Sequence, residues 1–182
     1  SRRFEIGPLG RGWAHNWQYG AHVGEDGTVT VSDMTGTPRV FQPDSRYSGR
    51  YLSQAGDEGV LKAVDSGFLL EEASGDRQFY RNGKLEYLED ANGNRISCVY
   101  DDERLMELTH SAGPTLSLSY NVQGRIASII DHHGRETTYS YGGEYLVSVE
   151  SYRGLVTTYN YHASTGPSAH ALTGIGLPNG TS

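Results

Sequence analysis

The sequence predicts an all-β fold built from serial antiparallel hairpins. Two C-terminal segments, 134–141 and 154–161, share Gly, Thr-Thr-Tyr and a final Tyr at the same offsets. β-branched and aromatic residues of this kind favour strands, and Gly, Asn and Asp cluster between the runs, where tight turns need them. Glycine supplies 24 of the 182 residues, roughly twice its usual share of about 7%, as a fold with many tight turns requires.

These two segments belong to an internal repeat with a period of 20 or 21 residues. In each repeat a glycine is followed seven residues later by a tyrosine, and an apolar pair begins eight residues before the glycine. Strand, turn and strand at this spacing predict one hairpin per repeat. The repeat-defining residues are the glycines Gly93, Gly113, Gly134 and Gly154, the tyrosines Tyr100, Tyr120, Tyr141 and Tyr161, and the pairs Leu85/Leu88, Leu105/Leu108, Ile126/Ile129 and Leu146/Val149.

The spacing of the apolar pairs raises a question about the faces of the sheet. On a regular strand, positions three apart point to opposite faces. The pairs therefore predict apolar character on both faces unless a bulge intervenes.

The repeat register also continues toward the C-terminus. Leu172 and Ile175 precede Gly180 at the same offsets, after an insertion over 162–171. The last repeat is cut short, so we expect a piece of a longer protein. Its unpaired sheet edge would make the isolated chain self-associate or leave it only marginally stable.

Residues 1–83 predict a second all-β region that precedes the repeats at 84–182. Alternation from Gly12 to Gly24 predicts a strand that places Trp13 and Trp17 on one face, where they would pack as a heavy anchor. Beyond it, the pattern predicts strands over 28–32, 39–41, 60–64, 68–70 and 78–80, with a long loop over 43–59.

Three short segments carry a resemblance to a known family. Asn121-Val-Gln-Gly-Arg-Ile126, Asp131-His-His-Gly-Arg135 and the pair Tyr100-Asp101 resemble the tyrosine-aspartate (YD) repeats of Rhs proteins. The N-terminal motif resembles the domain that precedes those repeats, so the resemblance implies that region 1–83 is similar to that domain. The motif consists of Gly7, Pro8, Leu9, Gly10, Gly12, Trp13 and the following Trp17.

The resemblance implies a structural function without catalysis. YD repeats wind into a large hollow β-shell, which in bacterial polymorphic toxins and insecticidal toxin complexes encloses a toxic C-terminal domain. Teneurins use a related shell at animal cell surfaces. For this chain the resemblance implies a wall segment in a secreted or cell-surface protein. The implied partners are the remaining repeats, the enclosed toxin domain, and surface glycans or a secretion-system component.

Composition excludes several classes of function. The formal net charge of −7 argues against nucleic-acid binding, which calls for a basic surface. No apolar run approaches the roughly 18 residues of a membrane-spanning helix, and the sequence contains no signal peptide. The sequence therefore predicts neither a nucleic-acid partner nor a membrane span.

No catalytic, cofactor or metal residue is predicted. Asp90, Asn92 and Asn94 match the opening of a calcium loop, but Arg95 replaces the required glycine and the bidentate glutamate is missing. His132–His133 has no Cys, His or carboxylate at a zinc-like spacing. Cys98 lies in an apolar strand and is expected to be a buried structural thiol.

The sequence leaves two alternative functions open. The first is a cell-surface adhesion or carbohydrate-binding module that uses exposed tyrosines such as Tyr139 and Tyr159. The second is a hydrolase with an unrecognised site, formed by the predicted Trp13–Trp17 strand, His15 and scattered aspartates.

Overall fold

The computed structural model describes residues 2–33 and 37–178 and confirms the all-β fold of serial antiparallel strands. Across these residues the chain has no α-helix and one 3-10 turn, Arg2–Phe4. In chain order the strands are β1 (Ile6–Gly7), β2 (Gly10–Arg11), β3 (Gly20–Val23), β4 (Val29–Ser32), β5 (Arg39–Pro43), β6 (Arg50–Ser53), β7 (Val60–Val64), β8 (Gly67–Glu71), β9 (Arg77–Arg81), β10 (Lys84–Glu89), β11 (Arg95–Asp101), β12 (Arg104–His110), β13 (Thr115–Tyr120), β14 (Ile126–Asp131), β15 (Glu136–Gly142), β16 (Tyr145–Glu150), β17 (Val156–Tyr161) and β18 (Leu172–Gly176).

The chain forms two compact units. The central unit is 16–114, and the terminal unit combines 2–15 with 115–178. The boundary predicted between residues 83 and 84 falls inside the central unit, in the turn between β9 and β10. The division into repeats and a preceding domain concerns sequence register and stays a prediction. Gly180, which would open the next repeat, lies outside the described residues.

The central unit contains a sheet that closes on itself. Strands β3 to β10 pair in sequence order, and β10 also pairs with β3 through Lys84 opposite Gly20. The N–H of Ala21 donates to the Gly83 carbonyl at 2.9 Å and seals this junction. The ring of eight strands encloses a core of Val29, Val31, Phe41, Leu61, Leu70, Tyr80 and Leu85.

An ion cluster lies inside this ring, next to its core. Arg39 is paired with the buried Val31, so its side chain starts on the core side. Its guanidinium donates to Asp57 at 2.6 and 2.9 Å and also to Glu72. Hydrogen bonds to Asp57 and then to Glu72 raise the pKa of Arg39. Because the Asp57 and Glu72 carboxylates balance its charge, the Arg39 guanidinium can lie next to an apolar core.

Two predictions for the N-terminal region are wrong. The strand predicted over 12–24 is confined to β3, and both Trp13 and Trp17 lie outside strands. The alternation there reflects aromatic residues that pack against separate partners, as described below for Trp13. The loop predicted over 43–59 contains β6, a four-residue strand too short to show a periodic pattern. The strands predicted near 28–32, 39–41, 60–64, 68–70 and 78–80 are confirmed.

A β-bulge recurs beside the final tyrosine of each repeat. In the β13–β14 hairpin, Ser119 pairs with Ser128 but Tyr120 pairs with Ile126, so Ala127 is the extra residue. The same shift occurs at Tyr100, Tyr141 and Tyr161. In every repeat one additional residue therefore follows the first member of the apolar pair.

The bulge explains the three-residue spacing of the apolar pairs. One extra residue reverses the alternation of faces, so Ile126 and Ile129 point to the same side as Tyr120 and Leu118, with which they pair. Ile126 is fully buried. Both members of each apolar pair therefore share one face, here called the inner face. Apolar residues such as Ile130 and Val99 lie on the opposite, outer face, so apolar character occurs on both faces, as expected.

The repeat glycines close the turns that precede the tyrosine strands. In the β14–β15 turn, Gly134 has a φ of +76° and its N–H donates to the Asp131 carbonyl at 2.8 Å. The Asp131 carboxylate accepts the N–H groups of His133 and Arg135 at 2.9 and 3.0 Å. A positive φ also occurs at the equivalent Gly93, Gly113 and Gly154.

Tyrosine hydroxyls connect successive repeats. Tyr141 donates to the carbonyl of Ile126 at 2.7 Å, and Tyr161 donates to the carbonyl of Leu146 at 2.6 Å. Both bonds span 15 residues and end on the first member of the preceding apolar pair. The tyrosine and the bulge therefore form one recurring structural element.

The bulge can be tested by two neighbouring substitutions. Ile129→Asp places a charge on the inner face and should lower the free energy of unfolding by at least about 2 kcal/mol. Ile130→Asp, on the more exposed outer face, should cost less than about 1 kcal/mol. Denaturant titration followed by circular dichroism measures both values. A larger loss for Ile130→Asp would show that the strand has no bulge.

The inter-repeat hydrogen bond gives a second prediction. Tyr141→Phe removes the hydroxyl that donates to Ile126 and should lower the free energy of unfolding by about 1 kcal/mol. Tyr139→Phe is the matched control, because the Tyr139 hydroxyl has no hydrogen-bond partner in the described part of the chain. Equal denaturation midpoints for the two variants would contradict a stabilising role of the Tyr141 hydroxyl.

Candidate functional site

The N-terminal motif lies across the ends of the repeats in the terminal unit. Strands β1 and β2 form a small hairpin in which Gly7 pairs with Gly10, and Pro8 and Leu9 make its turn. The Pro8 carbonyl accepts the N–H of Ile126 at 2.8 Å. The N–H of Arg11 donates to the Glu144 carbonyl at 2.7 Å. The motif therefore joins two repeats that are consecutive in sequence.

Gly10 is the closest backbone contact of this hairpin with the repeats. It has a φ of +85°, and a Cβ atom there would lie 2.7 Å from the Glu144 carbonyl oxygen. Any other residue would force the hairpin away from β16. This explains why the motif has glycine at this position.

An ion pair fixes the hairpin beside the turn before β16. The Arg11 guanidinium donates to both oxygens of the Glu144 carboxylate, with 2.8 Å between Nη2 and Oε2. The two side chains are 15% and 28% exposed, so water screens the pair only partly. The hydrogen bond from Arg11 lowers the pKa of Glu144. Arg11 also donates to the Phe4 carbonyl at 2.9 Å, which holds the start of the chain.

Trp13 connects the N-terminal segment to the last complete repeat. Its Nε1–H donates to the Tyr161 hydroxyl at 2.7 Å, and Tyr161 in turn donates to the Leu146 carbonyl. Its ring packs edge-on against Tyr159, with 5.0 Å between the centroids. The predicted shared face of two tryptophans is wrong, since Trp17 belongs to the central unit and lies 6.3 Å from Tyr19.

His170 is a site residue that sequence reasoning missed. Its Nδ1 lies 2.5 Å from the Tyr145 hydroxyl, and its ring stacks on the Tyr145 ring. The Phe4 ring meets it edge-on at 5.9 Å. It lies in the insertion over 162–171, of which residues 162–168 are exposed. Nothing in the sequence indicates that the last turn of this loop folds back onto the repeats.

A polar groove of about 550 Å³ opens beside Arg125 and Tyr141 in the same unit. The guanidinium lies over the Tyr141 ring, 5.5 Å from its centroid, and Nη1 donates to the Gly143 carbonyl. Tyr139 and the amide side chains of Asn121 and Gln123 also line this groove. It contains hydrogen-bonding groups and a cation on an aromatic floor.

The residues considered for metals form turns. The Asp90 carboxylate accepts the N–H groups of Asn92 and Asn94, and the Asn94 side chain with these N–H groups lowers the pKa of Asp90. His132 and His133 have ligand atoms within 4.8 Å of Asp131. That carboxylate already binds Arg135, and this bond lowers the pKa of Asp131 to about 2.

The remaining candidates for chemistry are buried. Cys98 is buried, and desolvation raises the pKa of its thiol to about 11. His15 is also partly buried, and desolvation lowers its pKa. Neither environment favours the ionised form of the side chain.

No protein-family model matches the chain, and no curated protein matches it. Among residues 2–33 and 37–178, no helix is long and apolar enough to cross a membrane. The function is therefore argued from the geometry of the terminal unit.

The Arg11–Glu144 pair predicts a pH dependence of stability. Because the folded pKa of Glu144 lies below its ordinary value of 4.5, the unfolded state binds more protons at intermediate pH. The contribution is fully present above pH 4.5 and is lost as the pH falls through the folded pKa. Between pH 6 and pH 3 the wild-type chain should lose more stability than Glu144→Gln.

Urea midpoints measured across this pH range check that prediction. Glu150→Gln is the matched control, since Glu150 is exposed and forms no ion pair within the described ranges. It should keep the wild-type pH slope. A Glu144→Gln variant with an unchanged slope would show that the ion pair does not stabilise the fold.

Proposed function

We propose that this chain is a wall segment of an Rhs-type YD-repeat shell that encloses a C-terminal toxin or effector domain, and that it is structural and not catalytic. One observation carries the proposal. Hairpins of the same geometry, each with a bulge beside its final tyrosine, recur every 20 or 21 residues. Repeats of this kind extend a sheet by adding identical units.

The contacts of the N-terminal motif also support a structural function. Its conspicuous residues are used in contacts with the repeats: Gly10 allows close approach to Glu144, Arg11 binds the Glu144 carboxylate, and Trp13 binds Tyr161. These contacts hold the repeats together, so the three residues serve packing and hydrogen bonding within the fold. A domain that precedes the repeats in sequence and secures their ends suits a shell.

The two alternatives have less support in the geometry. The hydrolase hypothesis depends on a strand that carries Trp13 and Trp17, and that strand is absent from the described residues. The adhesion hypothesis depends on exposed tyrosines, whereas Tyr139 and Tyr159 are only partly exposed and Tyr159 packs against Trp13. Tyr139 does line a groove, which is considered separately below.

The proposal predicts a large natural product with a protected C-terminal region. An antibody raised against this chain should detect, in extracts of its source, a protein several times longer than 182 residues. When that protein is purified and treated with protease, its C-terminal region should be degraded far more slowly than the same region expressed alone. Enclosure by the wall is the physical reason.

Two variants of the full-length protein sharpen this test. Ile129→Asp places a charge on the inner face of the wall and should expose the C-terminal region to protease. Ile130→Asp, its neighbour on the outer face, should retain protection. A natural product of about the length of this chain, or a C-terminal region digested as fast as the free domain, would overturn the proposal.

A further inference from the structure

The groove in the terminal unit contains a cation, Arg125, whose nearby carboxylate, Glu144, is bonded to Arg11 instead. The Arg125 Nε atom is buried and has no hydrogen-bond partner, and Nη1 meets only the Gly143 carbonyl. Within 2–33 and 37–178, no carboxylate forms an ion pair with Arg125. Two other arginines of this unit do bind carboxylates, Arg11 with Glu144 and Arg135 with Asp131. A half-buried guanidinium that lines a groove without a carboxylate partner favours an anionic ligand.

Uncharged hydrogen-bonding groups surround this cation. The Tyr139 hydroxyl has no partner among the described residues. The Oδ1 atom of Asn121 accepts the N–H groups of Gln123 and Arg125 within the turn, which leaves the Asn121 amide N–H groups for a ligand. Gln123 is exposed at the rim. Together these groups, which come from one turn and one strand, offer a ligand both hydrogen-bond donors and acceptors.

The composition of the lining indicates the kind of ligand. Polar side chains, tyrosine rings and a glycine line the groove, and no aliphatic side chain does. A bound peptide would need pockets for its alternate side chains. A sugar ring offers hydroxyls for the amides and phenol, a C–H face for the tyrosines, and in acidic sugars a carboxylate for the arginine.

We propose that this groove binds a carboxylate-bearing saccharide. Arg125 binds the carboxylate through the guanidinium N–H groups that line the groove. Tyr139, Asn121 and Gln123 bind ring hydroxyls, and Tyr141 forms the floor under the guanidinium. The site is independent of the wall function, because a shell segment that binds no sugar and a sugar-binding chain that encloses nothing are both consistent with the fold.

Saturation-transfer NMR and calorimetry test the proposal with trigalacturonate as the probe. Arg125→Gln should weaken binding at least about tenfold, since it removes a charge-assisted bond. Tyr139→Phe should weaken binding about three- to tenfold by the loss of one hydroxyl contact. Arg153→Gln and Tyr159→Phe are the matched controls, an exposed arginine and the equivalent tyrosine of the next repeat, and should retain wild-type affinity. Circular dichroism confirms that each variant is folded.

Three comparison ligands decide between the possible results. Galactotriose, the neutral counterpart, should bind at least about tenfold more weakly than trigalacturonate, because it cannot form the bond to Arg125. Acetate that displaces trigalacturonate at equal concentration would show a simple anion site and overturn the saccharide assignment. Triglutamate binding as tightly as trigalacturonate would assign the groove to acidic peptides instead. Absence of binding at millimolar trigalacturonate, or equal loss in both arginine variants, would also overturn the proposal.

Discussion

The bulge beside the last tyrosine of each repeat is the constraint on which the repeat geometry depends. A strand that alternates regularly would place Ile126 and Ile129 on opposite faces, and the inner face would lose half its apolar residues. The extra residue, Ala127 in this repeat, brings both isoleucines to the face of Tyr120. The bulge also ends regular pairing at Ile126, whose N–H then bonds to the Pro8 carbonyl. One inserted residue therefore places both isoleucines on one face and also creates a docking position.

The tyrosines convert this local feature into contacts between repeats. At Tyr141 and Tyr161, a hydroxyl bound to a carbonyl 15 residues earlier ties the hairpin to the preceding one. Each bond contributes only about 1 kcal/mol, but the same bond recurs with the repeat. Serial hairpins otherwise contact only their neighbours. The N-terminal segment differs, because Pro8 reaches β14, Arg11 reaches the turn before β16, and Trp13 reaches β17.

The features that could be predicted from the sequence are those that repeat at a fixed spacing. The register of Gly134 and Tyr141, the turns and the all-β class follow from residue types at fixed spacing, and even the bulge was the stated exception to a divided sheet. Contacts between distant segments leave no periodic signal. Nothing local reveals that Trp13 meets Tyr161, that His170 stacks on Tyr145, or that β10 pairs with both β3 and β9. Alternation around Trp13 predicted a strand because packing onto another segment produces the same pattern as pairing within a sheet.

The two arginines that follow a glycine near the repeat ends show how one geometry serves two purposes. Arg11 and Arg125 both lie close to the turn that contains Gly143 and Glu144, and each makes a contact with it. Arg11 binds the carboxylate of that turn and is thereby satisfied. Arg125 obtains only the carbonyl, because the one carboxylate there is already bound. The docked N-terminal hairpin and the groove therefore depend on the same imbalance, two cations and one anion at one turn, and an acidic ligand is the group that would restore the balance.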